Sequence, residues 1–206
     1  MPMFPLGSVL FPSLVLPLHI FEPRYRALVR DVLDGDGEFG VCLIARGAEV
    51  GGEDVRTDVG TVARVHEAQE LPDGRWGVVA VGVRRIRVDR WLPDDPYPRA
   101  EVSDLPDPPP SIAEVALLPD VVTKLRTALG KAAEVGDPVG PATVDIATDP
   151  VLASHQVSAL APIATLDQHA LLAAGTVGLR LARLDDLLDD AIEVLDLRLG
   201  AGGAGS

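Results

Sequence analysis

Four histidines, seven serines and one cysteine are the nucleophiles and general bases available to this chain of 206 residues. Their spacing supports no familiar catalytic arrangement. No G-x-S-x-G occurs, so the strained turn that exposes a hydrolase serine has no counterpart. His66-Glu-Ala-Gln-Glu70 resembles half of H-E-x-x-H, a zinc motif that needs its two histidines one helical turn apart. Glu70 stands where the second histidine belongs. The neighbouring residues read as a strand, in which positions i and i+4 lie about 13 Å apart. His66 is therefore a surface strand histidine in this reading. Gly130-Lys131 lacks the upstream glycine of a phosphate loop, and Ala132 replaces its Ser or Thr. Asp185-Asp186 and Asp189-Asp190 interleave with Leu184, Leu187, Leu188 and Ile192 at helical spacing, which makes them a solvated helix face rather than a metal site. Cys42, between Val41 and Leu43, reads as a core thiol. We expect no enzyme activity, no metal and no cofactor.

Arg84, Arg85, Arg87 and Arg90 form the one basic cluster. Two readings are open for it. It could be an anion- or RNA-binding patch with Trp91 as a stacking surface. Alternatively, it is the outer face of a strand, paired with acids such as Glu67 or Asp89. The net charge of −13 favours the second, because phosphate backbones are repelled. The same charge disfavours an anionic membrane.

Composition adds a class. With 47% hydrophobic and 24% charged residues, the chain can build a real core. A single cysteine forms no internal disulfide and suits a reduced compartment. The first charged side chain is Glu22, but Pro2, Pro5, Pro12 and Pro17 interrupt the uncharged opening. The uncharged run 150–166 is too short to span a bilayer. We expect no targeting segment, no membrane helix and a cytoplasmic location.

All eight aromatic residues lie before residue 98, whereas the remainder is rich in Leu, Ala, Val and Asp. Aromatic side chains favour strands and Ala and Leu favour helix, so the chain divides near Leu105-Pro-Asp-Pro-Pro-Pro-Ser111. We expect a β subdomain over 1–105, a helical subdomain over 106–199 and a disordered tail over 200–206. In the first, residues 14–21 alternate: Leu14, Leu16, Leu18 and Ile20 form a core face, with Val15, Pro17, His19 and Phe21 opposite. Pro17 puts this strand at an edge or a bulge. A helix follows from Pro23 to Gly35, burying Tyr25, Leu28, Val29, Val32 and Leu33. Phe39 to Ala45 reads as a central strand and 47–58 as a mobile loop. Thr61 to Gln69 and Trp76 to Val81 flank a Pro-Asp-Gly turn, and Gly82 marks a bend into another strand. In that strand Ile86 and Val88 face inward, with Arg85 and Arg87 opposite. A last strand runs near Arg99 to Ser103. The fold class is α+β, a partly open β-barrel with an early amphipathic helix followed by an α-helical bundle. In the helical half, Ser111 and Glu114 have capping-box spacing, with Pro119 interrupting soon after. Asp149-Pro150 opens a helix that Pro162 ends, and Thr165-Leu-Asp-Gln168 is a second capping box. A helix of roughly 177–199 buries Leu181, Leu184, Leu188, Ile192 and Leu195.

Pro5-Leu6, Val9-Leu-Phe-Pro12 and Leu16-Pro-Leu-His-Ile-Phe-Glu-Pro-Arg-Tyr-Arg26 resemble the opening of the Lon protease amino-terminal, or substrate-binding, domain family. The resemblance continues through Val59-Gly-Thr-Val62, Leu71-Pro-Asp-Gly74 and Gly82-Val-Arg-Arg-Ile-Arg87, and more loosely through Leu171 to Leu188. It implies a PUA-like pseudobarrel and a helical bundle, in a stand-alone Lon-domain protein without the ATPase and Ser-Lys peptidase. Nothing catalytic carries over. It also implies a protein- or peptide-recognition module, with unfolded or partly folded polypeptide and an ATP-dependent protease as partners. The apolar surface nominated for peptide is Val15, His19 and Phe21, with Phe11 nearby; the plainer alternative for Phe21 is a core position under the helix. The competing function is a PUA-like RNA binder using Arg84, Arg85 and Arg87.

Overall fold

The computed structural model describes residues 1–46 and 55–203. The chain divides into two compact units, Met1–Pro106 and Asp107–Ser206. The first holds β1 (Met3–Leu6), β2 (Val15–Ile20), α1 (Pro23–Asp34), β3 (Glu38–Arg46), β4 (Val55–Glu70), β5 (Trp76–Leu92) and β6 (Arg99–Asp104). The second holds α2 (Ile112–Val115), α3 (Leu118–Glu134), α4 (Pro150–Leu160), α5 (Thr165–Leu172) and α6 (Val177–Gly203). The fold is α+β.

The six strands form one mixed sheet, in which β1-β3-β4-β5-β2 is the main path and β6 also pairs with β5. The first strand is parallel to β3 and the other pairings are antiparallel. Long β5 carries β4 along one side. Along the other it carries β2 on Trp76–Val81 and β6 on Ile86–Leu92. A bridge between Pro2 and Arg99 ties the start of β1 to the start of β6, so the sheet curls back on itself without closing. At the other end β1 and β2 part.

Helix α1 covers one face of this sheet. Tyr25, Leu28, Val29 and Val32 pack with Phe4, Leu6, Ile20, Phe39, Val41 and Val78. Strand β3 is buried on both faces, as its uninterrupted apolar run requires, and Cys42 enters a second cluster with Met3, Val62 and Ile86. Bulges sharpen the curl. Val83 is passed over in the β4 register, between Gly82 opposite Ala63 and Arg84 opposite Val62. A Cβ at Gly82 would run into the Phe11 carbonyl oxygen, so the chain approaches β5 there as closely as only glycine allows. The β4–β5 turn at Leu71–Arg75 uses Gly74 at φ 78°.

Several local expectations change. Val55–Asp58 is strand rather than loop, because β3 and β4 continue pairing past the Cys42 bulge, with Ile44 opposite Arg56. The rest of the expected loop, 47–54, lies outside the described residues. Strand β1 escapes pattern reading because four residues buried on both faces show no alternation. Leu33 turns outward at the end of α1. Trp76 to Leu92 is one strand, bent at the bulge rather than split.

In the helical unit, Ser111 and Glu114 form the expected capping box and Pro119 falls in the first turn of α3. Asp149 Oδ1 accepts the Leu152 N–H at 2.8 Å. The second expected capping box is absent: Ala164 is the N-cap of α5, and the Gln168 side chain donates to the Ala159 carbonyl instead. Leu181, Leu184, Leu188 and Leu195 of α6 are buried, Ile192 only partly. This helix continues through 200–203, which were expected in the tail; 204–206 lie outside the described residues. Among the described residues, no helix is long and apolar enough to cross a membrane.

Candidate functional site

The site candidate begins with the phase of β2. The Gly82 N–H donates to the Leu14 carbonyl at 2.9 Å, and the register pairs Val15 with Val81. Antiparallel ladders alternate, so Leu16 and Leu18 exchange hydrogen bonds with β5 while Val15, Pro17 and His19 direct their backbone groups away from it. Those same residues point their side chains away from the core. Among the described residues, β5 is the one strand paired with β2. Its outer edge therefore offers carbonyls at Val15, Pro17 and His19 but N–H groups only at Val15 and His19, because Pro17 has none.

The exposed face matches the predicted alternation. Val15 is 63% and Phe21 54% exposed, and Pro17 and His19 are also exposed. Phe21 is thus a surface residue, not a core residue under α1. Phe11 is corrected: it is fully buried behind Gly82 and cannot join a binding surface. Beyond Pro17 the face continues across Gly77 and Val79 of β5 to Glu67 and Gln69 of β4 as a shallow depression.

Where β1 and β2 part, a cleft of about 190 Å³ opens between Phe4 and Leu6 on one side and Leu18, Ile20 and Phe21 on the other. Phe4 and Tyr25 stack at its base, with ring centroids 4.2 Å apart. Arg24 lies over the Tyr25 ring at 4.6 Å and holds Glu22 at 3.1 Å, which fixes the rim. Pockets for cofactors or drug-sized ligands run to about 300–1,000 Å³. This one has room for a single large side chain.

The arginine cluster is arranged differently. Arg84 lies between Glu38 (2.8 Å) and Asp104 (2.9 Å), whose hydrogen bonds, Glu38 first, raise its pKa above the ordinary arginine value. Arg90 is paired twice with Glu101, at 2.6 and 3.1 Å. These acids are not the Glu67 and Asp89 expected; Asp89 accepts a hydrogen bond from Ser103. Arg85 is corrected from an anion-facing to a buried residue, being 2% exposed beside Thr61 of β4, and Arg87 remains exposed. The Arg56 guanidinium lies 4.8 Å over the Trp91 ring, so one face of it is already occupied. An RNA patch built on Arg84, Arg85 and Arg87 loses its geometry because neighbouring acids and burial take two of its three cations.

Sequence reading missed one polar constellation. Asp107, the first residue of the helical unit, accepts hydrogen bonds from Arg180 (2.7 Å) and lies 3.1 Å from His155 Nε2. Ser154 is adjacent, but its hydroxyl donates to the Val151 carbonyl and accepts from Arg180, not His155. Among the described residues these bonds form no serine–histidine relay, and the group is buried. Burial opposes ionisation of Asp107, yet hydrogen bonds from His155 and Arg180 hold its carboxyl well below the usual range. The signal available was a lone Arg180 on the apolar stripe of α6. His66 is exposed on β4, and Lys124 bridges Asp185 and Asp189. Among the described residues, no three His, Cys, Asp or Glu side chains are grouped to hold a metal.

The profile of the ATP-dependent protease La (LON) substrate-binding domain matches residues 1–190. Lon protease 2 of Herpetosiphon aurantiacus is 28% identical over 96% of this chain, and Lon protease 1 of Myxococcus xanthus is 30% identical over 95%. The chain spans about a quarter of the length of these relatives, 24% and 25%. Among solved structures, a Lon N-terminal domain protein from Xanthomonas campestris aligns over 89% of this chain and 95% of its own, with TM-score 0.62 and 27% identity. The N-terminal domain of a Mycobacterium avium complex Lon protease aligns over 92% and 97%, with TM-score 0.68; at 19% identity it speaks for the fold alone.

Proposed function

Because the chain belongs to the Lon substrate-binding domain family, we propose that it is a non-catalytic module that recognises unfolded or partly folded polypeptide. The observation that carries this reading is the coincidence at β2 of a free strand edge, an exposed Val15–His19–Phe21 face and a side-chain-sized cleft. An extended segment pairs its backbone with the edge and inserts one bulky side chain beside Phe4 and Tyr25. An adaptor role follows, with an ATP-dependent protease as the partner that consumes what is held. The compartment this reading assigns is the cytoplasm, where such chains emerge.

The test is retention of a reduced, alkylated and permanently unfolded protein by the immobilised chain, compared with the same protein in its native state. Retention of the unfolded form alone is expected. Val15→Asp/Phe21→Asp should weaken it about tenfold, since hot-spot aromatics carry such losses. Surface changes of this kind leave stability within about 0.5 kcal/mol. No retention by the unsubstituted protein, or equal retention by the folded double variant, would sink the proposal.

A further inference from the structure

Between the first turns of α3 and the N-terminal half of α6 lies a groove of about 240 Å³ in the helical unit. Its floor is apolar, with Val121 and Leu181 buried, and Leu117 and Ala182 form walls open to solvent. Leu179, three residues before Ala182 and so on the same side of the helix, is 63% exposed. The rim is acidic. Of its acids, Asp185 is already engaged by Lys124 (2.9 Å), which also holds Asp189 (2.6 Å). Among the described residues, no ion pair engages Asp120 or Asp186.

Uncompensated carboxylates around an apolar floor are complementary to cations flanking an apolar side chain. Nucleic acid and anionic lipid carry the wrong sign. So does a second copy of this unit, since residues 106–206 hold 6 cationic against 14 acidic side chains. We propose that the groove docks a basic amphipathic helix of a partner polypeptide. One apolar side chain enters between Leu117 and Ala182, and Lys or Arg side chains a turn away pair with Asp120 and Asp186. The volume suits one or two side chains, so the contact is an anchor with charged flanks rather than a broad interface.

Fluorescence anisotropy with a labelled helical peptide of Leu-Lys-Lys-Leu repeats tests this, against a counterpart with Glu in place of Lys. The lysine peptide should bind and the glutamate peptide should not. Asp120→Lys/Asp186→Lys should weaken binding about tenfold or more, as charge reversal at an interface does. Ala182→Trp should block the groove. Glu134→Lys/Asp145→Lys, an equal change of charge elsewhere on the unit, should have little effect. Equal losses in the two charge-reversed pairs, binding of the glutamate peptide, or unaltered binding to Ala182→Trp would overturn the proposal. Val15→Asp/Phe21→Asp should leave this binding intact. Loss there instead would place the peptide at β2, refuting the groove while leaving the polypeptide-recognition reading standing.

Discussion

Asp107 shows how a single carboxylate organises the interior of the helical unit. Arg180 is fully buried, and its guanidinium spends its donors on Asp107, on Ser154 Oγ (2.8 Å) and on the Leu171 carbonyl (3.0 Å). Removing the anion leaves a buried cation uncompensated, which costs about 3–5 kcal/mol. Asp107→Asn should therefore lower the urea midpoint at neutral pH by a corresponding amount. The pH dependence has a definite sign. The folded-state pKa of Asp107 is depressed, so its contribution is present above the unfolded carboxylate value of about 3.9 and is lost as pH falls through the folded value. Stability of the unsubstituted protein should decline on the acid side below about pH 4, and Asp107→Asn should flatten that limb. Parallel acid limbs for the two proteins would contradict the assignment. Glu114 behaves alike at the surface: Ser111's backbone and hydroxyl groups draw its pKa down to about 2.

Strand β2 is both the candidate binding edge and a protected one. Pro17 withholds a donor in the middle of its outer row, which discourages pairing with another copy's edge while leaving three carbonyls for an incoming chain. Pro17→Val restores the donor and adds a β-branched side chain. It should promote self-association, read as a concentration-dependent increase in sedimentation coefficient. A monomer at every concentration would show that proline is not the guard. The bend in β5 makes a second prediction at this scale. Gly82→Ala should destabilise by about 2 kcal/mol or more, because the new Cβ meets a backbone carbonyl that cannot move aside. Thermal unfolding checks it.

At the scale of the whole molecule, the chain folds as two compact units, and the first builds its own apolar core under α1. Asp107 belongs by its contacts to the second unit although it lies in the proline-rich stretch that separates them. A fragment beginning at Asp107 should thus be more stable in urea than one beginning at Pro108, by an amount similar to the Asp107→Asn loss. Equal midpoints would show that the carboxylate is dispensable. Charge acts over the entire surface: at −13, with Arg84 and Arg90 held by acids, binding of single-stranded RNA should be negligible at physiological salt. Salt-sensitive micromolar RNA binding in a gel-shift assay would reopen that reading.

Periodicity alone determined much of this protein. The alternation Leu14–Phe21, the α1 stripe from Tyr25 to Val32 and the leucines of α6 each report which side meets a core, because burial and repeat are linked through fixed backbone geometry. The edge position of β2 was legible in Pro17 for the same local reason. What partner a side chain meets across the sheet is not local. Phe11 was nominated as surface and is buried, because Gly82 admits its backbone against β5. Arg85 stands on the face opposite Ile86, as alternation says, but that face is also buried there, beside Thr61, whose hydroxyl donates to the Leu10 carbonyl. Glu38, distant in sequence, claims Arg84, and Asp107 claims Arg180 across 73 positions. These outcomes depend on chain closure and register over long separations, where only the tertiary structure decides which charges and surfaces are left exposed.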